Sequence, residues 1–346
     1  MANSCCCGKP EVLKTNSQWQ WREYYGATMC RISDGFRSKY RVKPGLYSLG
    51  SPNDASEVFV TANYKLTFDV LRKDLAGIDA WILVLDTAGI NVWCAAGKGS
   101  FGTKELVGKI ESEKLNEKVS HKKIIVPQLG APGISAHEVR KATGFSVVYG
   151  PVRSKDIRDF IANTHTSTPK MRNVTFTIAE RAVLIPIEVV AMIKKSWLIV
   201  LLVAIAMGIQ KQGILFGPAL HLTVPLAIGL ALAIFTGSVL HPLVLPLFPM
   251  RSFAMQGLFL GLLCDGLLFI SGIFSSNTSR FGMAAVYVLI AALSSYLAFN
   301  FTGCTPIANK SGVKKELKIS FPLYIASGVV VLVLLVLYKL SFEGII

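Results

Sequence analysis

Charge is nearly missing from the second part of this chain. Residues 196–346 carry 8 basic and 3 acidic side chains, whereas residues 1–195 carry 28 and 18. A single soluble globule is excluded, because 151 consecutive residues with 11 charges cannot cover a wet surface. A disordered chain is excluded too, since 52% of the residues are hydrophobic and such a composition buries apolar surface. Acidic residues are in deficit overall, with 21 Asp+Glu against 36 Lys+Arg and a net charge of +15. Nucleic acid does not account for that excess, because no stretch interleaves aromatics with a dense Lys/Arg run. The C-terminal positives cluster between apolar spans, where they set topology and attract anionic lipid headgroups. The seven cysteines (Cys5, Cys6, Cys7, Cys30, Cys94, Cys264 and Cys304) form neither a spaced disulfide framework nor an iron–sulfur cluster motif. Residues 1–25 lack the apolar core of a secretory signal, so the soluble part is expected in the reducing cytoplasm.

What is present divides the 346 residues into an irregular head (1–54), an α/β domain (55–173), a linker with an interfacial helix (174–195) and a transmembrane domain (196–346). Within the second region strand and helix patterns alternate. Short β-rich runs at 58–62, 80–85, 123–126 and 146–149 are separated by helical spacing at 64–76, 103–115, 135–143 and 155–162. Ala80–Leu85 is continuously apolar, as a strand buried on both faces must be. The alternation predicts a Rossmann-like doubly wound sheet. Ligands of such folds sit beyond the C-terminal strand ends, here residues 62–63, 86–89, 127–133 and 150–152. Five apolar spans follow, at 197–209, 222–245, 253–274, 283–301 and 321–340. The first is short for a hydrocarbon core of about 30 Å and is expected to begin upstream, inside the linker helix. With the N-terminus inside, Lys194, Lys195, Arg251, Lys310, Lys314, Lys315 and Lys318 lie on cytoplasmic flanks and only Lys211, Arg280 and Lys339 on outer ones. The positive-inside rule then predicts a multi-pass protein of the cell inner membrane with a cytoplasmic N-terminal domain.

Two chemical signals lie beyond the 80–85 strand. Gly97-x-Gly99-x-x-Gly102 has the form of a dinucleotide fingerprint, but eleven residues separate it from Leu85, whereas the motif should follow its strand directly. Cys94 is more informative. A thiolate is a soft donor suited to a transition metal. One cysteine cannot build a zinc or iron–sulfur site of about four ligands. It can give one axial ligand to a metal already held by a macrocycle. A buried structural cysteine is the other reading of the same residue.

Four segments then carry a resemblance. They are Val60-Thr-Ala-Asn-Tyr-Lys-Leu-Thr-Phe-Asp69, Asn91-Val-Trp-Cys-Ala-Ala-Gly-Lys98, Pro127-Gln-Leu-Gly-Ala-Pro-Gly133 and Gly144-Phe-x-Val-Val-Tyr-Gly-Pro-Val-Arg153. In order, they resemble the corrinoid-binding domain of the corrinoid iron–sulfur protein large subunit. The membrane tail and the missing cluster motif make the whole chain resemble the membrane-bound corrinoid proteins of microbial mercury methylation, the HgcA family. The resemblance implies a cobamide cofactor, with Cys94 on a cap helix as lower thiolate ligand to cobalt. It implies that Asn91, Val92 and Trp93 orient that helix, that Ala95, Ala96 and Gly97 admit the corrin, and that Lys98 stabilises the thiolate, a solvated helix-end lysine being the other reading. Thr61, Thr87, Gln128, Leu129, Gly130, Ala131, Gly150 and Pro151 become candidate contacts to the corrin amides and nucleotide tail. The implied reaction is corrinoid-dependent transfer of a methyl group from methyl-Co(III) cobamide to Hg(II). A strong axial donor suits it, because it favours departure of the methyl with its electrons. The implied partners are a ferredoxin-like 4Fe–4S protein (HgcB-like) as reductant and a methyl-tetrahydrofolate methyltransferase as methyl source.

Two other functions fit parts of the same pattern: a membrane-anchored methyl carrier of one-carbon and acetyl-CoA metabolism, and a non-catalytic corrinoid transporter or sensor. Outside the cofactor region, Cys5-Cys6-Cys7 is read as a tail, with soft-metal handling or lipidation as the functional alternative. Asp265 beside Cys264 is a costly mid-span carboxylate. His221 and His241 are expected at membrane interfaces. Residues 300–317, which include Cys304, are expected to form a cytoplasmic lid or docking loop, with Cys304 a candidate relay for Hg(II).

Overall fold

A computed structural model describes residues 11–210, 213–273 and 278–345. Cys5, Cys6, Cys7 and Lys211 therefore lie outside the described residues. The chain separates into two compact units, Met1–Thr175 and Phe176–Ile346.

The first unit opens with β1 (Leu13–Thr15), α1 (Trp21–Met29), α2 (Asp34–Lys39) and β2 (Gly45–Leu49). It continues through β3 (Val58–Ala62), α3 (Lys65–Asp74), β4 (Ala80–Leu85), α4 (Val92–Lys98) and α5 (Thr103–Ser112). It closes with β5 (Lys123–Val126), α6 (Ala136–Thr143), β6 (Ser146–Tyr149) and α7 (Ile157–Ala162). The sheet order is β1-β2-β4-β3-β5-β6. Strands β4, β3, β5 and β6 run parallel, while β2 pairs antiparallel with β4. The four parallel strands therefore end at one edge, and β2 starts there, with Gly45 opposite Val84.

Alternation along the strands builds two cores. Val58, Val60 and Ala62 of β3 face α4, α5 and α6 through Val92, Leu106 and Val139. Phe59 of β3, with Ile82 and Val84 of β4, faces α3 and α7 through Phe68, Leu71 and Phe160. All six residues of β4 are buried, as its unbroken apolar run predicts. The α/β expectation thus holds. The head does not match the expected irregular segment, because residues 13–49 supply two strands and two helices. The β1 and β2 segments are only three and five residues long, too short for a periodic signal.

The second unit begins with α8 (Ile178–Ala182) and α9 (Ile185–Gly208). The expected interfacial helix and first span are one rod, because nothing after Pro186 interrupts the helix. At 24 residues α9 is about 36 Å long by its rise per residue, with Lys194 and Lys195 near its middle. A two-stranded turn, β7 (Ile209–Gln210) and β8 (Gly213–Ile214), leads to α10 (Phe216–Ile234), a π-helical segment Phe235–Leu240 and α11 (His241–Val244). Three long helices follow: α12 (Phe253–Ser271), α13 (Arg280–Asn300) and α14 (Lys310–Phe342). Among the described residues, five helical stretches are long and apolar enough to cross a membrane.

Small residues set their spacing. A Cβ at Gly257 would stand 2.4 Å from the Ser294 carbonyl oxygen, and one at Gly261 would stand 2.9 Å from Ala291 Cα. This small-xxx-small stripe lets α12 touch the backbone of α13. His241 was expected at an interface but is fully buried, and its Nε2 lies 2.8 Å from Gln256 Oε1. Bulging of the preceding π segment and an amide partner make an interior imidazole tolerable there. His221 is exposed, with its ring against Phe342. Asp265 is half-buried in α12.

Candidate functional site

Helix α4 stands at the edge where the parallel strands end. Asn91 caps it, its Oδ1 accepting a hydrogen bond from the Cys94 backbone N–H at 2.9 Å. Capping of this kind contributes about 1 kcal/mol. Val92, Ala95 and Ala96 are buried against the sheet, while Trp93, Cys94, Gly97 and Lys98 are exposed. This i, i+3, i+4 division gives the short helix one free face. The thiol of Cys94 is on that face, with nothing larger than Gly97 at i+3 and with Lys98 at i+4. The buried-structural reading of Cys94 is thereby removed. Buried Cys30 is different: burial, opposed by Tyr64 and Arg37, holds its thiol above the usual range.

A clamp built on Asn63, at the end of β3, holds the loop that feeds α4. Its Oδ1 accepts hydrogen bonds from the backbone N–H groups of Thr87 (3.1 Å) and Gly89 (2.8 Å). Its Nδ2 donates to Asp86 Oδ1 at 2.9 Å. Thr87 Oγ1 lies 2.9 Å from the same amide oxygen and 2.6 Å from the Ile90 carbonyl. Ala88 and Gly89 have φ of 56° and 75°, the left-handed conformation that reverses the chain between strand and helix. Glu105 of α5 adds a further tie, accepting from the Asp86 N–H at 2.9 Å. Asn63 was named only as part of a strand end. Its clamp could not be read from the sequence, because its partners lie more than twenty residues away.

The 128–133 turn packs directly against α4. A Cβ at Gly133 would meet the Phe101 carbonyl oxygen at 2.1 Å and Ala96 Cα at 3.2 Å. A Cβ at Gly130 would meet the buried Phe101 ring at 2.5 Å. These glycines bring turn and helix into backbone contact. Tyr149 at the end of β6 pins the same turn, its hydroxyl donating to the Ile134 carbonyl at 2.7 Å.

Expected contact residues fall into three groups. Cys94, Trp93, Gly97 and Lys98 are exposed on the helix. Gln128, Leu129 and Ala131 are half-buried on the adjoining turn. Thr61, Thr87, Gly130, Gly150 and Pro151 are buried beneath them. Thr87 is fully buried and committed to the Asn63 clamp, so its present contacts are to the loop. Gly99 (φ 87°) ends α4 and Gly102 precedes α5. The Gly97–Gly102 run therefore turns one helix into the next, and it lacks the strand-to-helix geometry of a dinucleotide loop.

Among the described residues no group of three or more His, Cys, Asp or Glu could hold a metal ion. Cys94 offers one donor only, as a metal with its other ligands already in place requires. Gly97 places no side chain one turn beyond the thiol, the space a flat macrocycle needs, with exposed Trp93 and Lys98 on either side.

Residues 29–161 match the family model for the CO dehydrogenase/acetyl-CoA synthase delta subunit. Among curated proteins, the acetyl-CoA decarbonylase/synthase complex subunit gamma of Methanopyrus kandleri is 31% identical over 46% of this chain and 35% of its own length. The same subunit of Archaeoglobus fulgidus is 34% identical over 36% of this chain and 27% of its own. The corrinoid/iron-sulfur protein large subunit of Moorella thermoacetica is 30% identical over 35% of this chain and 27% of its own. The chain thus spans about a third of the length of these relatives or less, and the family match falls within the first unit.

Proposed function

We propose that the first unit binds a corrinoid over the free face of α4 and that the chain is a membrane-anchored methyl-transfer protein. The carrying observation is the exposed thiol of Cys94 on a rigidly clamped, low-relief helix at the ligand edge of the sheet. Similarity to a corrinoid/iron-sulfur protein large subunit supports the choice of macrocycle. Such a cofactor supplies a cobalt centre that carries a methyl group and exchanges it with an acceptor.

The chain's own residues do the rest. Cys94 would hold the cobalt through its sulfur, and the Asn91 cap fixes the backbone that carries it. Ala95 and Ala96 pack beneath it, and Gly97 keeps the surface open. Trp93 and Lys98 border the thiol. Gln128, Leu129 and Ala131 offer polar and apolar contacts from the neighbouring turn, with Thr61, Gly150 and Pro151 behind them.

The acceptor we propose is Hg(II), making the chain a mercury-methylating enzyme. A thiolate from Cys94 would make the metal it binds electron-rich, the chemistry that suits an electrophilic acceptor such as Hg(II). A ferredoxin-like 4Fe–4S protein would return the electrons, and a methyl-tetrahydrofolate methyltransferase would replenish the methyl. The second reading is a methyl carrier of acetyl-CoA metabolism, favoured by relatives that are subunits of acetyl-CoA decarbonylase/synthase complexes. We place the first unit on the cytoplasmic side, as the distribution of Lys and Arg favours.

One experiment separates these readings. The full chain is purified without oxygen, loaded with cobamide, and compared with Cys94→Ala by optical and electron paramagnetic resonance spectroscopy. Retained cobamide with an altered spectrum in the variant is the expected result, and identical spectra would remove Cys94 from cobalt. Methylmercury formed on adding Hg(II), and lost in the variant, selects the enzyme. Transfer only to nucleophilic acceptors selects the carrier.

A further inference from the structure

We propose that a cavity in the helical unit is a binding site for one anionic glycerophospholipid. The cavity holds about 1330 Å³ and lies between the segment leading into α12, the end of α13 and the first half of α14. Its size exceeds the range of about 300–1,000 Å³ typical of small-molecule sites.

Its lining changes character along α14. Lys315, Glu316, Ser320, Leu323, Tyr324 and Ser327 all line it. With 3.6 residues per turn, they fall within about half of the helix circumference and so share one broad face. That face runs from the charged first third of the helix into its apolar remainder. At 33 residues α14 is about 50 Å long by its rise per residue, well beyond the hydrocarbon core. The cavity therefore straddles a polar-to-apolar boundary, as a phospholipid does.

The charge at its polar end is unbalanced. Arg251 and Lys315 line the cavity, and neither is matched by a carboxylate among the described ion pairs. Its acidic lining residue, Glu316, is already committed. Its Oε1 accepts from Ser252 Oγ at 2.9 Å and from the Ala254 N–H at 2.5 Å, capping the start of α12. Two cations thus face a cavity whose carboxylate is turned into the protein, an arrangement complementary to a phosphodiester headgroup. Leu258, Ala292 and Leu323 offer the deeper, apolar surface for acyl chains. The site rests on the membrane-spanning reading of the second unit and is independent of the corrinoid.

The test uses the full chain in detergent, stripped of endogenous lipid. Binding of phosphatidylglycerol, phosphatidylcholine and inorganic phosphate is read by native mass spectrometry and by the shift in Tm. Phosphatidylglycerol should bind as a single molecule and raise Tm, with phosphatidylcholine at least about tenfold weaker, because its choline cation cancels the net charge of its phosphodiester and is repelled by Arg251 and Lys315. Inorganic phosphate should do neither. Arg251→Gln with Lys315→Gln should abolish the preference while helical circular dichroism is retained. Lys314→Gln with Lys318→Gln, which alters two lysines outside the lining, should keep it. Equal binding of the two lipids, full effect from inorganic phosphate, or equal loss in both double variants would overturn the proposal.

Discussion

Asn63 is a neutral amide that behaves as a hub. It satisfies two loop N–H groups and one carboxylate at once, so Asn63→Ala removes every partner while Thr87 stays buried. Each buried donor left without an acceptor costs about 1–3 kcal/mol. The expected loss is therefore about 2–6 kcal/mol, read as a lower denaturant midpoint for the first unit. Asn91→Ala should cost less, about 1 kcal/mol, because only one helical N–H loses its cap. Cofactor affinity should fall in both, since α4 would lose its fixed position.

Glu23 gives a pH prediction at the same scale. Burial raises its carboxyl pKa, but the hydrogen bond from the Gln20 N–H and the charges of Lys65 and Arg72 outweigh it and hold the group below its ordinary value of 4.5. A carboxyl depressed by folding contributes stability above its unfolded pKa and loses it as pH falls through the folded one. Unfolding followed between pH 7 and pH 3 should show this loss, and Glu23→Gln should both lower stability at pH 7 and flatten the acid limb. An unchanged acid limb in the variant would assign the dependence to other carboxylates.

Among the elements, contact between α4 and the 128–133 turn is set by backbone rather than side chains. Gly133→Ala puts a methyl group where the Phe101 carbonyl oxygen already lies, so turn and helix must part. Overpacking of this kind costs about 1–3 kcal/mol. Cofactor loading should drop more than stability does, because the displaced element is the one that carries Cys94. The alternation that placed β3 to β6 was legible because each strand is a run of apolar residues flanked by helical spacing. Helix α4 was legible through the resemblance of the Asn91–Lys98 segment. The elements in the head were not, because β1 and β2 gain their identity from pairing with β4 and each other. Asn63 and Tyr149 escaped notice for a related reason: their roles depend on contacts distant in sequence, which periodicity cannot reveal. His241 was misplaced because position near a span end suggests an interface, whereas its neighbours Phe248, Phe253 and Phe301 and the Gln256 amide enclose it.

At the scale of the whole molecule, the two units make opposite demands on their solvent. In the first, helices cover both faces of the sheet, and the large side chains of both cores are buried. In the second, Leu267, Phe269 and Ile270 on α12 and Leu323, Leu332 and Val336 on α14 are all more than half exposed. A surface of that composition is stable in hydrocarbon and aggregates in water. The first unit closes its own core before the chain enters the second at Phe176, so residues 1–175 expressed alone should be soluble, monomeric and unfold in one transition. That fragment contains Cys94, the Asn63 clamp and the 128–133 turn, and should therefore retain cobamide with the spectrum of the full chain. Residues 176–346 should instead require detergent. Size-exclusion chromatography and circular dichroism of the two fragments check both statements. Aggregation of the first fragment in water, with recovery on adding the second, would show that the α/β unit depends on the helical one for its fold.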